Sequence, residues 1–158
     1  MYKYEFVKVD LNRKKHQKVF LKLLNDYMLD DMGIGKPMPA ELGPQIIKGL
    51  KKHPAYLGFF ICVGEDFAAL ANCNLNFSTW KAKPLINIHD FIVSLDYRKR
   101  GVGLFLLDEI ARYAKEKGYC RVNLEVRQDN YKAQNLYKKV GFKECDPPNY
   151  FWEKQLSQ

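Results

Sequence analysis

The chain has 158 residues, 47% of them apolar, which is enough for one domain with a real core. Its net charge is +8, with the basic residues spread along the sequence rather than gathered into a nucleic-acid module. No apolar run is long enough to span a membrane and the first residues hold no apolar leader core, so a cytoplasmic protein without a membrane or nucleic-acid partner is expected.

Residues 2–9 alternate apolar and charged side chains, as a half-exposed first strand does. Asp10 or Asn12 is placed to cap a helix whose apolar positions Phe20, Leu23, Leu24, Tyr27 and Met28 fall on one core-facing stripe. Residues 33–39, rich in glycine and proline, form a loop within the domain. Pro44 suits the first turn of a second helix carrying Ile46, Ile47 and Leu50, and His53-Pro54 stops it. Residues 56–63 and 67–77 read as a hairpin about the turn at 64–66, and 85–93 as the next strand. A helix then buries Leu106, Leu107, Ile110, Ala111 and Ala114 and ends at Gly118. Residues 121–126 are a strand, and 131–139 a helix closed by Gly141. Residues 142–145 and 150–154 are expected as a final pair of strands. The order β-α-α-β-β-β-α-β-α-β-β is an α/β arrangement in a single domain over 1–158.

The segment Arg98-Lys99-Arg100-Gly101-Val102-Gly103 joins the apolar strand to the helix after it. Its two glycines let the backbone turn tightly and press N–H groups on a ligand. The helix start and three cationic side chains favour an anion at the same point, a phosphate or pyrophosphate. A Walker loop is excluded because Leu104-Phe105 follows Gly103 in place of Lys-Ser/Thr. The dinucleotide fingerprint is excluded because position 106 is leucine rather than a third glycine.

Arg-x-x-Gly-x-Gly before a leucine-rich helix resembles the acyl-CoA signature of the GNAT superfamily of N-acetyltransferases. The stretch Asn130-Tyr-Lys-Ala133-Gln-Asn-Leu136-Tyr137-Lys-Lys-Val-Gly141-Phe142 resembles that family's second signature, in the correct order and spacing. The resemblance implies a mixed, mostly antiparallel central sheet, flanked by helices, with its fourth and fifth strands splayed apart. It implies acetyl-CoA as co-substrate and an amine acceptor as partner, with no metal, and leaves a homodimer open. In that reading, main-chain groups of Phe91, Ile92 and Val93 pair with the pantetheine arm. Backbone N–H groups of Arg98, Lys99, Arg100, Gly101, Val102, Gly103 and Leu104 hold the pyrophosphate, and Asn130 caps its helix and contacts the cofactor arm.

An amine nucleophile must lose a proton, and His89 is the first candidate to accept it, by its similarity in position to a histidine of the family's arylalkylamine acetyltransferases. Strand alternation puts Asn87, His89 and Phe91 on one face and Ile86, Ile88, Asp90 and Ile92 on the other. A core histidine is the competing reading, and Glu125, central in the next strand, is the second-choice base. Tyr137 occupies the family's Leu-Tyr position, where a phenol serves the departing thiolate; packing with Leu136 and Val140 is its alternative role. Asp90 is a charge on an Ile-rich face and needs a partner there. Asp26, Asp30 and Asp31 are either acceptor-binding carboxylates or ordinary surface charges, and Phe77, Trp80 and Tyr150 either an aromatic wall or core. Cys62, Cys73, Cys120 and Cys145 form no Cys-x-x-Cys pair, and His16, His53 and His89 complete no metal set, so free, mostly buried thiols are expected. The expected activity is acetyl transfer to a primary amine of a small molecule or protein in a ternary complex. A non-catalytic acyl-CoA sensor and a basic nucleic-acid-binding domain are the alternatives.

Overall fold

The computed structural model describes residues 3–156. Five strands make one sheet in sequence order: β1 (Tyr4–Lys8), β2 (Tyr56–Val63), β3 (Asp66–Ser78), β4 (Lys83–Val93) and β5 (Val122–Leu124). The first three joints are antiparallel and the last, β4 to β5, is parallel. Helices α1 (Lys14–Leu29), α2 (Leu42–Lys52), α3 (Val102–Glu116) and α4 (Tyr131–Lys139) flank the sheet. Tyr2, which the alternation assigns to the first strand, lies outside the described residues.

The strand β2 is apolar almost throughout because both of its faces are covered. Leu57, Phe59 and Ile61 pack in the layer of α3, with Leu106, Leu107 and Ile110. Phe60 and Cys62 pack in the opposite layer, with Phe20, Leu23 and Ile47 of α1 and α2. Each such leucine or phenylalanine stabilises the fold by about 1.5–3 kcal/mol relative to exposure. These two layers, rather than helix propensity, hold the elements in place. No helix among the described residues is long and apolar enough to cross a membrane.

Four expectations are corrected. Neither Asp10 nor Asn12 caps α1, whose N-cap is Arg13. Asp10 instead makes the turn into the helix: its carboxylate accepts the Asn12 N–H at 2.9 Å and its own N–H donates to His16 Nδ1 at 2.9 Å. Ala111 is exposed, because the buried stripe of α3 is narrower than its i+4 relation to Leu107 implies. Two thiols are buried rather than most: Cys62 and Cys73, with Cys120 half-buried and Cys145 exposed, all four free. Residues 143–156 form neither helix nor strand. Pro147 and Pro148 remove two ladder donors there, β5 offers an edge of only three residues, and Tyr150, Phe151 and Trp152 are all exposed, so no face of the segment is buried against a core.

His16 is 2% exposed, with its ring edge-on to Phe60 and Phe67. A ring nitrogen that accepts a hydrogen bond carries no proton, so the fold selects the neutral imidazole. Burial, then the nearby Arg13, lowers its pKa from the ordinary 6.5. The unfolded chain therefore takes up the proton first as pH falls, so this contribution is complete above about pH 7 and is lost below about 6.5. The thermal midpoint should decline between about pH 7.5 and 5.5, and His16→Asn should flatten that decline. An undiminished slope in the variant would refute the assignment.

Candidate active site

The site begins where the sheet stops being a sheet. β4 and β5 pair only at Ile86–Val122, Asn87–Asn123 and Ile88–Leu124, with Asn87 Nδ2 donating to Asn123 Oδ1 at 3.1 Å. Beyond Ile88 the two strands part. On the other side of β4, Asn72 stands opposite Asp90 and Cys73 opposite Ile88, which leaves His89 as the extra residue of a β-bulge.

The bulge corrects the expected alternation. Ile86 and Ile88 belong to the α3 layer, yet past His89 it is Phe91 and Val93 that pack there, while Ile92 joins the α1 layer. Asn87, His89 and Phe91 therefore do not share a face, because one inserted residue reverses the parity of everything after it. Asp90 finds its partner in Asn72, whose Nδ2 donates to its carboxylate at 2.7 Å.

Between the parted strands lies a cleft of about 550 Å³. His89 and Phe91 line it from β4, Glu125 from just beyond the end of β5, Asn130 and Tyr137 from α4, and Tyr27 and Met32 from α1 and the loop after it. The structure thus brings together His89, Phe91, Asn130, Tyr137 and Glu125. Glu125 is exposed past the strand end rather than central in the strand. Asn130 caps α4, its Oδ1 accepting the Ala133 N–H at 3.1 Å.

Tyr137 is 9% exposed, edge-on to Phe91 at 6.0 Å and tilted against Phe142 at 5.9 Å. Burial, and secondarily Tyr27, push its hydroxyl up to about 12, so it stays protonated at neutral pH and can donate. Tyr27 and Met32 are among the cleft residues that sequence reasoning missed. The spacing of Tyr27 from Phe20 and Leu23 assigns it to the core stripe, and its phenol in the last turn of α1 is the one signal of another role. Burial, then Asp90, raises its pKa as well.

Val93 leads through a short 3-10 turn (Leu95–Tyr97) into the glycine segment. Lys99 and Gly101 both have positive φ, at 61° and 81°, so the chain reverses sharply before α3. Gly101 is the N-cap and offers no side chain to cap with. The first main-chain bond of the helix runs from the Phe105 N–H to the Gly101 carbonyl at 2.9 Å, which leaves the N–H groups of Val102, Gly103 and Leu104 as surplus donors. A methyl group on Gly103 would lie 3.1 Å from Leu136 Cδ2 and 3.4 Å from Val93 Cγ2, so glycine is what lets α3, α4 and β4 close together here. Gly103 and its neighbours fit an anion held by backbone.

The three basic side chains do not all attend the turn. Arg98 is turned away: its Nε donates to the Val93 carbonyl at 3.1 Å and its Nη2 pairs with Asp30 Oδ2 at 2.8 Å. Arg100 lies over the Tyr97 ring at 5.5 Å, while its carbonyl accepts from the Tyr4 hydroxyl. The Met32 N–H and then Arg98 hold the Asp30 carboxyl below its ordinary range. The partly exposed Arg98–Asp30 pair contributes on the order of 1 kcal/mol or less. Asp26 is paired with Lys22 at 2.8 Å, and none of Asp26, Asp30 and Asp31 lines the cleft. Phe77 and Trp80 are exposed elsewhere, whereas Tyr150 does reach the cleft, beside Phe151.

Comparison with known proteins agrees with this geometry. Residues 20–142 match the acetyltransferase (GNAT) family model. An uncharacterized N-acetyltransferase of Methanocaldococcus jannaschii is 35% identical over 89 residues, covering 55% of this chain and 39% of that protein. Streptothricin acetyltransferase of Streptomyces lavendulae is 28% identical over 115 residues, covering 73% of this chain and 60% of its own length. A crystal structure of a probable acetyltransferase superposes with a TM-score of 0.83 at 17% identity, over 98% of this chain and 99% of the other, and so shares the fold. With the family model spanning most of the sequence, and its two signatures falling on the turn before α3 and on α4, the chain belongs to the GNAT acetyltransferase family.

Proposed function

We propose that the protein transfers the acetyl group of acetyl-CoA to a primary amine, of a small molecule or a protein, by direct attack with both substrates bound. One observation carries this reading: a buried, protonated phenol and an imidazole line the same cleft, which opens between parted strands. Acetyl-CoA would supply the activated thioester. On the β5 side, Phe91, Ile92 and Val93 have no strand partner among the described residues, so their main chain suits an amide-bearing arm. The backbone of residues 99–104 suits the diphosphate; Arg98, expected to donate there too, does not, because its N–H donates to the Leu95 carbonyl at 3.3 Å and Asp30 holds its side chain.

A lysine-like amine, with pKa near 10.4, is neutral roughly once in 2,500 molecules at pH 7, and reaching that state costs about 4–5 kcal/mol. A proton acceptor at the cleft lowers that cost. His89 fills the role at the bulge, and Glu125 lines the same cleft as the second candidate. Tyr137 serves the departing sulfur. A hydroxyl at about 12 is a weaker acid than a thiol near 8.5, and giving up its proton would be uphill by roughly 5 kcal/mol. Its contribution is therefore a hydrogen bond to the thiolate rather than full proton transfer.

Thiol release with acetyl-CoA and a panel of primary amines tests the activity. Wild-type protein should release CoA with at least one amine, and Tyr137→Phe should lower turnover at least about tenfold while leaving the acetyl-CoA KM within about threefold. Unchanged turnover in that variant would remove Tyr137 from the mechanism. Gly103→Val should abolish CoA binding in calorimetry, with Gly103→Ala intermediate and circular dichroism reporting the fold of each. If folded wild-type protein ignores both CoA and acetyl-CoA at millimolar concentration, the transferase reading is wrong. Binding without release across the panel would leave a cofactor-binding protein that does not turn over.

A further inference from the structure

We infer that the Arg98 side chain is a positioning group for the acceptor side of the cleft, acting through Asp30, and is not a phosphate ligand. The inference rests on the transferase reading above. The Arg98 side chain makes two hydrogen bonds of different kinds: Nε to the Val93 carbonyl, at the end of β4, and Nη2 to Asp30, at the end of α1. Asp30 is the C-cap of α1 and the organising residue of the loop that follows. Its N–H donates to the Tyr27 carbonyl at 3.1 Å, its Oδ1 accepts the Met32 N–H at 3.0 Å, and its carbonyl accepts the Gly33 N–H at 2.8 Å. The N–H groups of Ile34 and Gly35 then return to the Met28 carbonyl, at 3.1 and 2.9 Å. Residues 27–35 are thus wound into one unit on the end of α1.

That unit presents Tyr27 and Met32 to the cleft, three residues before Asp30 and two after it. It faces the parted strands from the α1 side. The last turn of α1 carries no basic residue of its own, so the Arg98 guanidinium also supplies the cation that a helix C-terminus favours. A guanidinium forked between a strand-end carbonyl and this carboxylate fixes the distance between the two walls. A side chain so engaged is not aimed at the turn. Its loss would let Tyr27 and Met32 drift relative to His89, while the backbone donors of Val102, Gly103 and Leu104 would stay where α3 puts them.

The experiment compares Asp30→Ala, Arg98→Ala and the double variant by three readouts. These are the CoA dissociation constant from calorimetry, the KM of whichever amine supports thiol release, and amide hydrogen exchange over residues 30–35. Each single variant should speed exchange in that segment and raise the amine KM roughly tenfold, with CoA affinity moving less than about threefold. The double variant should be no worse than either single one, because both remove the same link. Additive effects overturn the inference. So does a tenfold or greater loss of CoA affinity in Arg98→Ala that Asp30→Ala does not share, which would make Arg98 a phosphate ligand. Unaltered exchange and amine KM would reduce the pair to an inert surface contact. If wild-type protein binds CoA but acetylates no amine, the transferase reading falls, while exchange over residues 30–35 still decides whether Arg98 orders the loop.

Discussion

The structure turns on the point at which β4 ceases to bond to β5. The parallel ladder runs through Ile88–Leu124 and no further, and the extra residue of the bulge sits at the next position. A parallel pair that continued to Val93 would satisfy every main-chain group on that edge and leave no cleft. Because it stops, the last third of β4 keeps its bonds to β3 on one side and unspent hydrogen-bonding capacity on the other. The same inserted residue swings Phe91 and Val93 onto the α3 layer, against Leu136, Gly103 and Tyr137, and so closes the inner end of the cleft with apolar surface.

Net charge describes this site poorly. The chain carries a surplus of eight positive charges, yet the cationic side chains nearest the cleft are engaged: Arg98 with Asp30, and Arg127 with Asp129 at 2.7 Å. At the glycine turn the partial positive charge of the first turn of α3 adds to the charges of Lys99 and Arg100, and that first turn holds no acidic residue. Backbone donors fixed by the fold lose little freedom on meeting an anion, whereas long side chains must be ordered first.

Burial sets the chemistry on the opposite side. Tyr137 sits among Phe91, Phe142 and the α3 layer, and the loss of water there keeps its proton in place. Tyr27 approaches the same space from α1, and its raised pKa reflects the neighbouring Asp90 as well as burial. Three phenols, those of Tyr27, Tyr137 and Tyr150, and an imidazole therefore border a cleft whose one lining acid among the described residues is Glu125. The arrangement separates an apolar inner end, around Phe91 and Tyr137, from an exposed mouth at His89 and Glu125.

Much of this was written in the sequence. The alternation of β1, the unbroken apolar run of β2, the turn at Gly64, the glycines at 101 and 103, and Asn130 as a cap are local matters, fixed by φ/ψ preference and by which side chains must be buried. Motif spacing likewise singled out Tyr137, which lines the cleft, and the glycine turn, which opens α3. Periodicity could not register the bulge at His89, since an inserted residue changes no amino acid but reverses every face beyond it. Nor could it foresee that the Arg98 side chain would leave the glycine turn for Asp30, 68 positions away, or that Tyr27, besides packing on the core as its stripe implies, would also line the cleft. Those pairings depend on where α1 ends relative to β4, a distance that only the packed sheet and its two helical layers decide. The expected terminal pair of strands failed for the same reason: a strand needs an edge to join, and β5 ends after three residues.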